Sequence, residues 1–432
     1  MNILYLHSHD TGRFVAPYGY DVPTPALSEL AAGGVVFRQA FCAAPTCSPS
    51  RAALLAGQSA HSAGMLGLAH RGFAMGDYRR HLAQFLRGAG FRTTLIGVQH
   101  EARDAATIGY DRVVAVPDRS ARQVAAAAES FLADRPTEPF FLSVGCFETH
   151  RPFPEPGSED DPRWLRAPAG LPDTPETRRD WAAFRASARE MDAGYGRVLA
   201  ALDAAGLADR TLVICTTDHG VAFPDMKCTL YDAGIGVLLI ARGPGGFSGG
   251  RVLDSLVSHL DVFPTICELA GVATPPWLEG RSLVPLACGE AQEINEEVFA
   301  EVSWHAAYEP LRAARTRRWK YIRRFAGRSR PVLPNRDDGP SKDVWVAGGW
   351  RERSVDEEEL FDLLFDPGER CNLAGRAEHA ATLAEMRGRL ERWMRRTGDP
   401  LLAGPVPAPP GASYNDPDGL SPREPPRRVP GA

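Results

Sequence analysis

The residues most able to do chemistry cluster in Ala44-Pro45-Thr46-Cys47-Ser48-Pro49-Ser50-Arg51, which runs into an alanine- and leucine-rich helical stretch closed by Gly57. Ser48 can cap a helix whose first residue is Pro49, which leaves Cys47 just ahead of the helix N-terminus. Unpaired backbone N–H groups and the helix dipole at such a position favour negative charge. Arg51, one turn in, can point back at Cys47 and at any anion it meets. Two readings stay open on these residues alone: an anion site built around a cysteine, or a capped helix carrying a buried cysteine. Further along the chain, His9-Asp10 and Asp218-His219 each follow a short apolar run. Carboxylates gathered at strand ends suit a hard divalent cation, Ca2+ or Mg2+, although the same residue types also form turns.

Cys47-Ser48-Pro49-Ser50-Arg51, with its alanine-rich helix and closing glycine, resembles the signature of the sulfatases within the alkaline-phosphatase-like hydrolases. The resemblance extends in order over roughly residues 1–398. It implies that Cys47 is oxidised to formylglycine by a formylglycine-generating enzyme. One hydroxyl of the hydrated aldehyde then attacks sulfur, and the other is later deprotonated to expel sulfate. His9-Asp10 stand where the family usually has paired aspartates, and Asp218-His219 are similar to its second ligand pair. The implied metal set is therefore Asp10, Asp218, His219, the side chain at position 47 and His9, around one divalent cation, Ca2+ first, with Mg2+ or Mn2+ as alternatives. His9 departs from the pattern. Its softer imidazole could shift preference toward Mn2+ or Zn2+, or be displaced from the metal.

The run from 90 to 100 resembles the second sulfatase signature and implies that His100 contacts the nucleophile, but Val98 stands where the family has a lysine. His150 resembles the histidine that serves the leaving group, and Arg151-Pro152-Phe153 is similar to the sulfamidase-like members in particular. Lys227 matches the lysine that clamps a sulfate oxygen, with Arg51 and His100 in support. Gly236 occupies a position where relatives often carry arginine, so two expected cations are missing. His305 and Tyr308 could line the cleft or lie on the surface. The resemblance implies hydrolysis of a sulfate ester or sulfamate, on a sugar in the sulfamidase-like case. Two rivals share the pattern. One is a phosphonate monoester or phosphodiester hydrolase of the same superfamily. The other is a non-catalytic binding protein that never matures its cysteine, which the exchanges at residues 9, 98 and 236 motivate.

Something must hold these residues together. Apolar runs at 2–6, 93–96, 140–144, 211–215 and 236–240 predict strands, and helical periods fall at 24–32, 78–88, 120–133, 177–205 and 259–270. This alternation predicts a large, mostly parallel α/β sheet with helices on both faces, and such sheets place their sites at the carboxyl ends of the strands. Thr24-Pro25 reads as an N-cap followed by proline at the first helical position. The expected layout is a catalytic domain over 1–290 and a smaller α+β subdomain over 291–398. In the subdomain, strands fall near 298–302, 313–316 and 321–323 and a helix near 380–396. Residues 399–432, rich in proline and glycine, read as a disordered tail.

The formal charge of −5, with acidic residues interleaved among the arginines, gives no reason to expect nucleic acid or an anionic membrane as partner. No run of about 18 apolar residues predicts a membrane span. The N-terminus lacks a basic segment ahead of its first apolar run, and the eight cysteines show no C-x-x-C spacing. A cytoplasmic protein with reduced thiols is the expectation.

Overall fold

The apolar run at residues 2–6 carries no polar alternation, as a strand buried on both faces requires. In a computed structural model, which describes residues 1–431, it forms β1 (Asn2–Ser8), and all seven of its residues are buried. β1 lies between two parallel neighbours, β5 (Phe140–Gly145) and β6 (Thr211–Thr217), with Leu4 facing Leu142 on one side and Val213 on the other. β3 (Arg92–Gly97) and β4 (Arg112–Val114) continue the parallel ladder beyond β5. On the other flank come β7 (Leu239–Arg242), which runs antiparallel, then β2 (Val35–Phe41) and β8 (Arg251–Ser258). The eight-stranded order is β4-β3-β5-β1-β6-β7-β2-β8.

Helices cover both faces of this sheet and create two apolar layers. One contains Phe37, Leu55 and Phe263; the other contains Val124, Met191 and Leu202. A separate antiparallel sheet, β12-β11-β10-β9, is built from β9 (Glu297–Trp304), β10 (Tyr308–Thr316), β11 (Trp319–Arg324) and β12 (Glu358–Asp362). The helix Ala380–Thr397 packs on it through Leu383, Leu390 and Trp393.

Several local expectations are corrected. The helix expected over 78–88 is broken at His81. A 3-10 turn Tyr78–Arg80 precedes the helix Leu82–Gly88, and the His81 ring accepts the Ala83 N–H to cap it. Thr24 does sit ahead of the helix Pro25–Gly33, but its hydroxyl accepts from Ala16 N. The free N–H groups of Ala26 and Leu27 donate instead to Asp192, a cap delivered from another helix that no local motif announces. The strand expected over 236–240 begins at Leu239, because Val237 N and Leu238 N donate to Ala40 and Gly12.

The segment from residue 399, expected as a disordered tail, is packed. Asp399 holds Arg312, Trp304 Nε1 donates to Val406 O, and Asn415 N donates to Ala306 O. A short hairpin, β13 (Ser413–Tyr414) with β14 (Arg427–Arg428), closes it. Proline removes donors that would otherwise need partners, and the Trp304 and Tyr414 rings meet at 5.5 Å, so this segment packs without long regular elements. All eight cysteines are unpaired. Among the described residues no helix is long and apolar enough to cross a membrane.

Candidate active site

β3, β5, β1 and β6 are adjacent and parallel, so the residues that follow them emerge at one edge. His100 follows β3, His150 follows β5, His9-Asp10 follow β1, and Asp218-His219 follow β6. β7 runs the other way and β2 is reversed again, so the helix after β2 enters at this same edge. That helix, Cys47–Ala56, starts two residues earlier than expected and puts Cys47 in its first turn. Ser48 does not cap it; its hydroxyl accepts the Ala69 N–H. Every residue of the helix is buried, which makes the rest of the fold a rigid mount for Cys47.

Asp218 is the hub. Its Oδ1 accepts the backbone N–H groups of Asp10 and His219, both at 2.9 Å, and its Oδ2 accepts from Arg51 at 3.0 Å. Asp10 occupies the left-handed region at φ 52°, a costly conformation for a non-glycine residue, and the hydrogen bond to Asp218 helps to hold it. Burial opposes the charge on Asp218, but the Arg51 guanidinium helps to hold its carboxyl well below the usual range. Arg51 is committed more deeply than the sequence suggested. Besides Asp218 it donates to Ser8 O and to His7 Nδ1, both at 2.7 Å, so it braces the strand ends rather than reaching freely toward Cys47. His7, which no motif singled out, then carries its proton on Nε2, facing Ser143 Oγ at 3.1 Å. Gly145 makes room for that ring, since a Cβ there would overlap His7 Cε1.

Cys47 Sγ lies 3.4 Å from His219 Nε2. Burial pushes its thiol well above the ordinary value, against the pull of Lys227; a buried neutral thiol is a poor nucleophile. His219 Nδ1 lies 3.0 Å from Gly220 O, and because a carbonyl only accepts, Nδ1 carries the proton. The Nε2 lone pair therefore faces Asp10 Oδ1 at 3.4 Å, acceptor against acceptor. His9, 2% exposed, has Nδ1 3.1 Å from Asp218 Oδ2 but out of line for a hydrogen bond, so both ring nitrogens lack a partner, as does Asp10 Oδ1. Burial, then Arg51, keeps His9 neutral by lowering it well below its ordinary value.

Donor atoms of His9, Asp10, Cys47 and Asp218 lie within 4.8 Å of one another. Opposed lone pairs and orphaned buried polar atoms are costly unless a cation sits among them, so this donor set fits a divalent ion.

Lys227 Nζ sits 2.7 Å from Asp10 Oδ2 and 3.0 Å from Asp337 Oδ2, buried, with the two carboxylates favouring its charge against desolvation. Asp337 comes from the loop between β11 and β12, where no motif announces it. His150 Nδ1 donates to Arg151 O at 2.6 Å, and its Nε2 lies 3.9 Å from Asp10 Oδ2. His100 is held by His70, with Nε2 2.9 Å from His70 Nδ1, and its ring stands 6.1 Å from that of His9. His305 is buried with Nδ1 unpartnered, while the Tyr308 hydroxyl accepts from Val406 N and serves packing.

Two positions expected to lack a cation behave differently. Val98 is buried at the end of β3, its N–H donating to Gly145 O. Gly236 ends the short helix Asp232–Ile235. The Arg13 guanidinium fills the space against its Cα, and both line a cavity of about 670 Å3, which none of the sequence-predicted site residues lines.

Comparison with known proteins identifies the company this chain keeps. The family profile described as Sulfatase matches residues 1–272, and that of the N-sulphoglucosamine sulphohydrolase C-terminal region matches residues 220–341. Human N-sulphoglucosamine sulphohydrolase is 30% identical over 94% of this chain and 92% of its own length. A protein solved in complex with its substrate D-glucosamine-2-N,6-O-disulfate superposes with a TM-score of 0.73 at 18% identity, covering 92% of this chain and 98% of that one. The phosphonate monoester hydrolase of Silicibacter pomeroyi superposes at 0.68 with 22% identity, covering 92% and 95%. At these identities the two structures speak to fold alone.

Proposed function

The chain belongs to the sulfatase family, and on that footing we propose that it hydrolyses a sulfate ester or sulfamate carried on a sugar, using formylglycine made from Cys47. The observation that carries this reading is Cys47 itself: a protonated, buried thiol in the first turn of a rigid helix, 3.4 Å from His219 and walled by Asp10, Asp218 and Lys227. As a thiol it has little to do there. As a hydrated aldehyde it presents a hydroxyl at a helix N-terminus, where developing negative charge is favoured. A divalent cation held by Asp10, Asp218, His219 and His9 would act as Lewis acid and lower the pKa of that hydroxyl.

The remaining work falls to side chains. Lys227, fixed by two carboxylates, is set to hold a sulfuryl oxygen as charge develops on it. Arg51 keeps Asp218 and the β1 end in register through its three acceptors. His150 has its Nδ1 proton committed to Arg151 O, so it can give a proton to the leaving group from Nε2 only as an imidazolium. His100 and His70 support the wall behind His9. The sugar preference is supported by the relationship to human N-sulphoglucosamine sulphohydrolase.

Protein made with a formylglycine-generating enzyme should cleave N-sulfoglucosamine or an aryl sulfate and lose that activity on chelation. Aryl phosphonate turnover far above sulfate turnover would replace this reading with the phosphonate hydrolase one. No turnover of either by fully matured protein would leave a binding protein.

A further inference from the structure

We propose that the metal site selects a borderline first-row ion, Zn2+ or Fe2+ in class, over Ca2+, with His9 as the residue that sets the preference. The proposal rests on the hydrolase reading only in placing the cation in this cluster; its argument is the inventory of free donors.

Ca2+ takes about 6–8 oxygen ligands. The cluster holds four carboxylate oxygens from Asp10 and Asp218, and three are already engaged. Asp218 Oδ1 accepts two backbone N–H groups, Asp218 Oδ2 accepts from Arg51, and Asp10 Oδ2 accepts from Lys227. Only Asp10 Oδ1 is wholly free. The free nitrogens outnumber it. His219 offers Nε2, whose one hydrogen-bond partner is the Cys47 thiol at 3.4 Å, its tautomer fixed by Gly220 O in the way that a partner behind a ligand usually orients a metal-bound imidazole. His9 has both ring nitrogens unpartnered, and Nδ1 already lies 3.1 Å from Asp218 Oδ2. Its ring is wedged by Phe147 and by the edge-on ring of His150, at 5.8 and 5.7 Å, which limits its withdrawal from the cluster. Two imidazoles with one or two carboxylates make a mixed set of low coordination number, which suits Zn2+ or Fe2+ and starves Ca2+ of oxygen.

The test uses full-length protein carrying Cys47→Ala, so that neither thiol nor aldehyde contributes a ligand, and calorimetric titration with Zn2+ and Ca2+. Zn2+ binding with little or no Ca2+ binding is expected. His9→Asp should shift the Zn2+/Ca2+ affinity ratio toward Ca2+ by about tenfold or more, the scale on which even partners behind the ligands alter metal affinity. Paramagnetic NMR of the Co2+-loaded protein should reveal two ligated imidazoles, and one after the exchange. If the aspartate variant does not fold, His9→Asn must likewise lose one imidazole and weaken Zn2+. Ca2+ binding as tight as Zn2+, an unchanged ratio, or a single imidazole in the parent would overturn the proposal. None of these readouts needs turnover. A sulfate hydrolase that prefers Ca2+ sinks this inference alone, and a Zn2+-selective protein inert to sulfates sinks only the functional reading.

Discussion

Among the described residues, two groups of histidine and carboxylate have the spacing to hold a metal ion, and they differ in what is left over. His61, Glu301 and Asp399 form the second. There Arg312 donates to both oxygens of Asp399 at 2.5 and 3.0 Å and stands 3.2 Å from Glu301 Oε2. His61 gives its backbone N–H and Nδ1 to Glu301 Oε1. A guanidinium already occupies the place a cation would take, and the cluster ties the loop after the Cys47 helix to β9, β10 and residue 399. Around Cys47 the cations Arg51 and Lys227 satisfy three oxygens between them and their neighbours, yet both ring nitrogens of His9 and Asp10 Oδ1 have no partner, and His219 Nε2 has only the Cys47 thiol. Composition alone does not separate a structural cluster from a site. Glu301 Oε2 also lacks a hydrogen bond, but it has the Arg312 guanidinium at 3.2 Å, whereas the two ring nitrogens of His9 and Asp10 Oδ1 are left without a partner.

The contrast predicts that damage to the two clusters registers in different observables. The largest effect should come from Lys227→Ala, which removes a donor aimed at developing oxyanion charge. It should lower kcat/KM by at least about 10²–10³ per folded, metal-loaded molecule, in addition to the stability lost when Asp10 and Asp337 lose their cation. Lys227→Arg should not fully restore activity, because a planar fork does not replace a point charge between Asp10 and Asp337. Steady-state kinetics on an aryl sulfate, with a thermal melt of each variant, would measure both. Near-wild-type turnover would break the comparison at its functional end.

Arg312→Ala should do the reverse. Removing one partner of a buried ion cluster typically costs about 3–5 kcal/mol, here because Glu301 and Asp399 lose their cation. Denaturant unfolding should reveal that loss, while kcat per folded molecule stays near that of the parent. A fall in kcat without a fall in stability would mean that the second cluster is functional after all.

These two clusters were unequally legible. Asp10, Asp218-His219, His100 and His150 could be placed because parallel buried strands read as uninterrupted apolar runs, and the site follows their ends. β2 and β8 could not, since Arg38-Gln39 and Arg251, Asp254 interrupt their pattern at the half-covered sheet edge. Asp337 enters from the small sheet's side on a loop with no periodic signal, and Arg312 reads locally as one more surface arginine although it is fully buried. Nor does sequence order tell which side chain fills the space beside Gly236, here that of Arg13.

A smaller effect tests the structural cluster by pH. Burial works against the charge on His61, but Glu301 raises it above its ordinary value of 6.5. Burial likewise opposes charge on Glu301, yet His61 and Arg312 hold it at about 2. His61 thus contributes stability that is complete below about pH 6.5 and lost as pH rises through its raised folded value. Glu301 contributes stability present above its ordinary 4.5 and lost as pH falls through about 2. Both are in force between pH 4.5 and 6.5. His61→Gln should flatten the alkaline decline in melting temperature, and an unchanged slope would remove His61 from the account.

The most direct test of the central claim is the mass of the tryptic peptide that ends at Arg51, from protein produced beside a formylglycine-generating enzyme. The account predicts the aldehyde at position 47, reactive toward hydrazide probes, with sulfate-ester turnover rising in proportion to its fraction. Sulfate hydrolysis by a preparation whose residue 47 is entirely unmodified thiol would contradict it.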